Sequence, residues 1–477
     1  MTFGCAASTE DPPDATARVA ATVHGTGTLF GITSTGIVAQ PMDLSANTFA
    51  TYARSHGETV REVGTGTAEG TFTVPVAAGA RTWDLVTNVG GITTVAVGNA
   101  REPDVDQYQL GRLDTTLASA GTDVALEVTG LRPWAEGDTT QIVVGNNGAV
   151  VFSPETFFAT PPANGDNAFT GQIYDWSLQS SALVDAAAGD TAVVAQLVNH
   201  TSGTETYQGV ERSGVATAFT QTDGAPSTLT ATLDAVPVKS LSLHWHGSQF
   251  DRFADDVGVG AAAIQGGVLI DALPDAAQLG FYTTSPDLML YFASTPEADL
   301  DVTVSYGNPY ANQGTPWDEF AIVQYALVVP VSGTNPAFTT VAGYQGNVAL
   351  GQLGGGIVEP LISPVRRVTI AGRDARTPQT GVGPSPTVRW HAPTIGHATQ
   401  YIIDLRQPID ASRSRLVGRF VTKDRELQIP SDFLVSGTTY FMRISAFDFG
   451  DVDRTASLFG DGLPAAAFTS VTAAFTP

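Results

Sequence analysis

The chain holds a single cysteine, Cys5, in 477 residues, so no internal disulfide framework holds it together. It has two lysines, Lys239 and Lys423, and only 15% of its residues are charged. No run of eighteen apolar residues occurs, so no membrane-spanning helix is expected. The G-x-S-x-G elbow of esterase-type nucleophiles and the G-x-x-x-x-G-K phosphate loop are both missing. Gly351–Gly355 lacks the strand and helix that flank a dinucleotide site. Positive charge is scarce where most of the chain lies. Residues 1–360 carry 10 Lys+Arg against 37 Asp+Glu, whereas 361–477 carry 13 against 10. So acidic a surface repels phosphate backbones and anionic lipid, which argues against nucleic acid as a partner.

What the chain has in quantity is glycine, 50 residues, and proline, 28, with abundant threonine and valine. That mixture favours turns and strands over helices. The length exceeds what one core can serve and predicts three or four domains. We read an all-β chain of several β-sandwiches in tandem. Its parts are a tether over 1–14, a sandwich over 15–114, an acidic β-rich region of one or two sandwiches over 115–360, and a C-terminal module over 361–477. Within 115–360, alternating runs such as Asp123–Val128, Leu241–Trp245 and Ala321–Val329 predict strands. Gly145-Asn-Asn-Gly148 and Pro162-Ala-Asn-Gly165 predict turns. The glycine-rich Gly346–Ile357 reads as a hinge or a domain end.

The C-terminal module is the most patterned stretch. Thr387–Trp390 and Gln400–Leu405 alternate with period two, Trp390 suits the centre of a two-sheet core, and Pro430 ends a strand carrying Leu427 and Ile429. Leu434, Gly437 and Tyr440 are spaced as in a tyrosine corner. After these, Met442, Ile444 and Ala446 share one face with Tyr440, and Phe441, Arg443 and Ser445 the other. With Trp390, Tyr401, Leu427, Leu434 and Tyr440 in this order, the module resembles a fibronectin type III domain. The resemblance implies a spacer or binding module, with no catalytic residues to transfer. Gly70-x-Phe72, Gly79, Trp83 and Leu85 resemble the hairpin of a carboxypeptidase-regulatory (transthyretin-like) sandwich. Gly4-Cys5 followed by small residues is similar to a bacterial lipoprotein cleavage site, which implies lipidation of Cys5. The apolar stretch that normally precedes such a site is not in the sequence, and Phe3 stands where a small residue is usual.

Candidate chemistry is sparse. His244-Trp245-His246-Gly247 places two imidazoles on one face of a strand, where they could share a metal with Asp251 or Asp255. The tetrapeptide also occurs in multicopper oxidases, but the further histidine clusters and the copper-binding cysteine of those enzymes are missing. The bland alternative is an outer strand face, with Leu243 and Trp245 packed inward. Tyr306, Tyr310 and Trp317 form an aromatic group beside Asn and Asp that suits a sugar-binding face, although packing over a sandwich end is the commoner fate of such rings. The acidic runs Asp251–Asp256, Glu297–Asp301 and Asp448–Asp453 lack the Asp-x-Asp-x-Asp-Gly spacing of a calcium loop and read as solvated turns. No cofactor is expected, and a structural calcium is left open with no ligands named. Carboxylates paired in space for glycoside hydrolysis leave no sequence signature. The expected role is a non-enzymatic structural or binding protein, extracytoplasmic, either secreted or displayed on the cell surface. Its partners would be polysaccharide or another surface protein, and membrane contact would come only through Cys5. The alternatives are a carbohydrate-active enzyme or carbohydrate-binding protein with its site in 115–360, and a metal-binding surface protein using His244 and His246.

Overall fold

The structure, a computed structural model, describes residues 21–477 apart from 34, 56–57, 154–161, 180, 217, 275–284, 312–316, 451, 459–462 and 464. Cys5 and the 1–14 tether lie outside the described residues. The fold is all-β. Among the described residues no helix is long and apolar enough to cross a membrane.

Alternation in the sequence becomes sheet faces. Trp83–Val89 buries every second side chain, as period-two patterning requires. The described strands form four two-layer units. In the first, Thr22–Thr26, Thr71–Pro75, Glu58–Gly66, Thr48–Ser55, Trp83–Val89 and Ile92–Val97 pair in that order, beside a small sheet of Gly36–Pro41, Thr28–Thr33 and Gln107–Leu110. Phe49 and Phe72 stack at 4.1 Å in its core. In the second, a sheet of Ala149–Ser153, Thr139–Val144, Ala192–Ser202 and Glu205–Ala216 faces Ala168–Asp175, Asp123–Thr129 and Ser227–Thr232 over a core of its own. In the third, Asp287–Phe292, Ala262–Pro274, Trp317–Val331 and Phe338–Ala349 face Asp299–Gly307, Val238–His246 and Ile357–Val358. In the fourth, Ser414–Thr422, Gln400–Pro408, Phe441–Asp448 and Ala465–Val471 face Arg373–Asp374, Arg366–Ile370, Thr387–His391 and Glu426–Gln428.

Two sequence expectations change here. Thr71–Pro75 and Trp83–Val89 do not pair as a hairpin, because the strands Glu58–Gly66 and Thr48–Ser55 lie between them in the sheet. Of the two readings of Gly346–Ile357, a hinge or a domain end, the hinge falls. Gly346 lies inside Phe338–Ala349, where its backbone is paired with Val323 on one side and Ala466 on the other, and two short 3₁₀ turns follow.

The four units are joined edge to edge. Tyr207–Gly209 of the second unit pairs antiparallel with Met289–Tyr291 of the third. Tyr344–Asn347 of the third pairs antiparallel with Ala465–Phe468 of the fourth. Arg419–Val421 of the fourth pairs parallel with Thr94–Ala96 of the first. One ladder of 19 strands results. An unpaired sheet edge is a liability for aggregation, and each of these pairings removes two of them. The circuit closes where the Arg112 N–H donates to the Asn146 carbonyl, linking the first unit to a turn of the second. Leu458, from a loop of the fourth unit, is buried in the first unit's core, and the Tyr52 hydroxyl donates to Asp432 at 2.9 Å across the same junction.

In the fourth unit Trp390 packs edge-on to Tyr401 at 5.3 Å. The buried Tyr440 hydroxyl accepts from the Val435 N–H at 3.0 Å, the bond expected of a tyrosine corner. Tyr440→Phe keeps the ring and removes this acceptor. It is expected to lower the free energy of unfolding by about 1 kcal/mol, measured by denaturant titration.

Candidate functional site

Six neighbouring strands of the continuous ladder carry a shared concave face. They are Trp317–Val331, Phe338–Ala349, Ala465–Val471, Phe441–Asp448, Gln400–Pro408 and Ser414–Thr422, paired in that order across the junction of the third and fourth units. A sheet this wide twists, and the twist hollows the face. A cavity of about 460 Å³ results, to which Gln324, Gln345, Asp404, Arg419, Arg443 and Arg454 contribute.

Alternation dictates who faces it. Ile403 and Leu405 turn into the fourth unit's core, so Asp404 between them faces the cavity; Met442 and Ile444 turn inward, so Arg443 and Ser445 face outward. Arg419 grips Asp404 bidentately, Nε to Oδ1 at 2.8 Å and Nη2 to Oδ2 at 3.1 Å. Burial alone would lower the Arg419 guanidinium, but the Asp404 hydrogen bonds and charge outweigh it and leave Arg419 raised. Arg443 Nε is buried without a hydrogen-bond partner, and burial pushes this guanidinium below its usual range. Arg454 lies with its guanidinium 4.5 Å from the centre of the Phe449 ring; burial, with Arg419 nearby, pushes it down to about 9. The Ser445 and Thr469 hydroxyls share a hydrogen bond of 2.8 Å on the same face. The arrangement supplies concentrated positive charge and neutral hydrogen-bonding groups.

Sequence reasoning did not single out these arginines. The available signal was the reversal of charge balance after residue 360, combined with the outward position of Arg443 and Ser445 in their strand.

The structure places the sequence-predicted residues elsewhere. His244 and His246 do share the outer face of Val238–His246, with Leu243 and Trp245 buried behind them. His244 Nδ1 lies 2.6 Å from Asp301 Oδ1, and His246 Nδ1 lies 3.8 Å from Glu359. Asp251 instead accepts from the Tyr325 hydroxyl at 2.9 Å. Among the described residues, no three His, Cys, Asp or Glu side chains gather as a metal site would require. Tyr306, Tyr310 and Trp317 are buried, at 0%, 1% and 5% exposure. Tyr310 and Trp317 stack on each other at 4.8 Å, and the Tyr306 hydroxyl donates to Glu319 at 2.9 Å. Their rings therefore offer no face to a sugar, and the ligand-binding expectation for them gives way to packing. The run Asp251–Asp256 forms two single-turn helices, Gly247–Asp251 and Ala254–Val257.

A second group of titratable residues is buried in the third unit. Asp271 and Asp287 face each other across neighbouring strands and are hydrogen-bonded to one another. The Ser285 hydroxyl donates to Asp271, and Gln141 of the second unit holds the Asp287 backbone through both its amide groups. Burial pushes Asp287 up to about 7, while burial and the neighbouring Asp287 charge push Asp271 well above the carboxylate range. Glycoside hydrolysis needs its two carboxyls separated across a substrate, about 5–9.5 Å apart. A directly bonded, buried pair has a different role. Burial favours the protonated form of both carboxyls.

No family model matches the chain, and no curated protein matches it. Among solved structures, it aligns with a tetra-tandem repeat from the extending region of a large adhesion protein. The alignment spans 96% of this chain and 99% of that one at 11% identity, with a TM-score of 0.14. At that score the two chains do not superpose as one fold.

Proposed function

We propose that this is an extracytoplasmic structural and binding protein, displayed on a cell surface or secreted, that acts without catalysing a reaction. The observation that carries the reading is the edge-to-edge pairing of all four units, through Tyr207–Gly209, Tyr344–Asn347 and Arg419–Val421. Modules joined by flexible linkers move independently. Modules joined by backbone ladders hold a fixed geometry, which suits a scaffold that presents binding faces at set positions. The low lysine content and strong negative charge keep such a scaffold soluble and discourage non-specific adhesion. The fourth unit, with Trp390, Tyr401, Leu427 and Tyr440 in its core, is read as fibronectin type III-like. Surface polysaccharide or another surface protein is the proposed partner class.

The test uses the full chain, since isolating the second and third units would strip the pairing partner from Phe338–Ala349. Co-sedimentation with insoluble polysaccharides and isolated cell envelopes is paired with an assay for reducing ends in the supernatant. Sedimentation without sugar release is the expected result. Release of reducing ends would overturn the reading and make the protein a hydrolase.

A further inference from the structure

A second cavity, of about 510 Å³, lies in the third unit, under the loop that carries the chain from one of its sheets to the other. Its floor is the inner face of the larger sheet. Val323 shares that face with Tyr325, whose ring stacks against Trp245 of the opposite sheet, and Val348 stands on the neighbouring strand. Gly346, directly opposite Val323, adds no side chain to the floor, and a Cβ there would run into the Tyr344 hydroxyl. The smaller sheet stops short of covering this surface. Its last strand is Ile357–Val358, which pairs with Val238–His246 on one side and, among the described residues, with no strand on the other. Leu353 and Val358 close the sides, while Ile357 and Leu361 stand at the mouth, 45% and 47% exposed. An apolar cavity of this size is within the range of small-molecule sites. Glu359 is the one charged side chain among the described residues lining it. It is exposed, and the ring of His246, its ion-pair partner, lies 3.8 Å away, beyond hydrogen-bond reach. The surrounding charge has the same sign, since residues 1–360 carry 10 Lys+Arg against 37 Asp+Glu. Such a field repels a fatty carboxylate and draws in a cation.

We infer that this cavity binds a small amphiphilic cation, an amine with a hydrocarbon body, with the body between Val323, Val348, Leu353 and Val358 and the ammonium at the mouth beside Glu359. The inference goes beyond the surface partner proposed above and does not depend on it. Most of the affinity comes from the hydrocarbon, because an ion pair left in contact with water contributes little. The carboxylate sets the sign of the head group through a charge-assisted hydrogen bond, and the Gln352 amide oxygen beside the loop is a second acceptor for the ammonium. His246 does not have to leave, since an ammonium on Glu359 breaks no hydrogen bond between them.

The experiment is titration calorimetry on the full chain at low salt, with octylamine, 1-octanol and octanoate as the probes. Octylamine is expected to bind saturably, about threefold more tightly than octanol and at least tenfold more tightly than octanoate. Shortening the amine to hexylamine removes two buried methylenes and is expected to weaken binding about tenfold. Glu359→Gln is expected to remove the advantage of octylamine over octanol and to leave octanol binding unchanged. Val323→Phe places a ring in the cavity and is expected to abolish binding of both. Absence of saturable octylamine binding, octanoate bound as tightly as octylamine, or an unchanged preference for the amine in Glu359→Gln would each overturn the inference. So would full octylamine affinity in a Val323→Phe variant that melts as the parent does. Should Val323→Phe melt at a lower temperature, Glu359→Gln decides, because it changes an exposed side chain and leaves the core alone.

Discussion

Asp271→Asn is expected to flatten the pH dependence of stability between pH 4 and 8, and to make the protein more stable than the parent at pH 8. The reason lies in the buried Asp271–Asp287 pair. Both carboxyls are held above the ordinary value, Asp287 at about 7 and Asp271 in the same direction, by burial first. A carboxyl whose pKa is raised on folding contributes its stability in full below the unfolded value, near 4, and loses it as pH rises through the folded value. The parent should therefore weaken steadily from about pH 4 to beyond pH 7. For Asp287, held at about 7, that corresponds to on the order of 4 kcal/mol. Asparagine keeps the shape of a protonated acid. Its amide N–H₂ donates to Asp287, and its carbonyl accepts from Ser285 as Asp271 does now. Urea titrations at unit pH steps measure the effect. A slope in the variant equal to that of the parent would show that the pair holds no proton of its own.

Where strands have one wet face, their alternation was legible in the sequence, as in Trp83–Val89 or Thr387–His391. The strands at the joins were harder to read. Ala465–Val471 is buried along its whole length, because it pairs with strands of two units, with one face on the core and the other on the floor of the cavity. With no freely exposed face, its burial shows no period. Glu205–Ala216 and Phe338–Ala349 give a weak signal for a related reason, since both carry glycine where another backbone comes close. The aromatic group Tyr306, Tyr310 and Trp317 shows the opposite limit. Composition allowed both a sugar platform and an internal stack, and only tertiary packing decides between them. The cavity arginines lie at a third limit. Arg443 has the outward position that alternation predicts, but Arg419 and Arg454 come from other segments. The floor is completed by Gln324 and Gln345 of a different unit. No local pattern encodes such a meeting.

The closed circuit of units makes the Gly145–Gly148 turn a sensitive point. The turn belongs to the second unit, yet Leu110 and Gly111 of the first unit press on it from one side and Trp317 of the third from another. Gly148 has φ +79°, and a Cβ added there would run into the Leu110 carbonyl oxygen. Gly148→Ala therefore meets two penalties. The left-handed conformation costs about 1–2 kcal/mol for alanine, and forcing apart packed backbone adds about 1–3 kcal/mol. Gly165→Ala is the control. It has φ +96° in a turn of the same unit, but a Cβ there has nothing within 4 Å, so only the conformational cost applies. By calorimetry the parent should melt in one transition, because units tied by ladders lose their supports together. Gly165→Ala should shift that transition slightly and keep it single. Gly148→Ala should lower it several times further and split it, as the first unit loses its hold on the second. Equal shifts in the two variants would mean that the contact between Leu110 and the turn contributes nothing. The units would then form an open chain, with the first held only through its junction with the fourth.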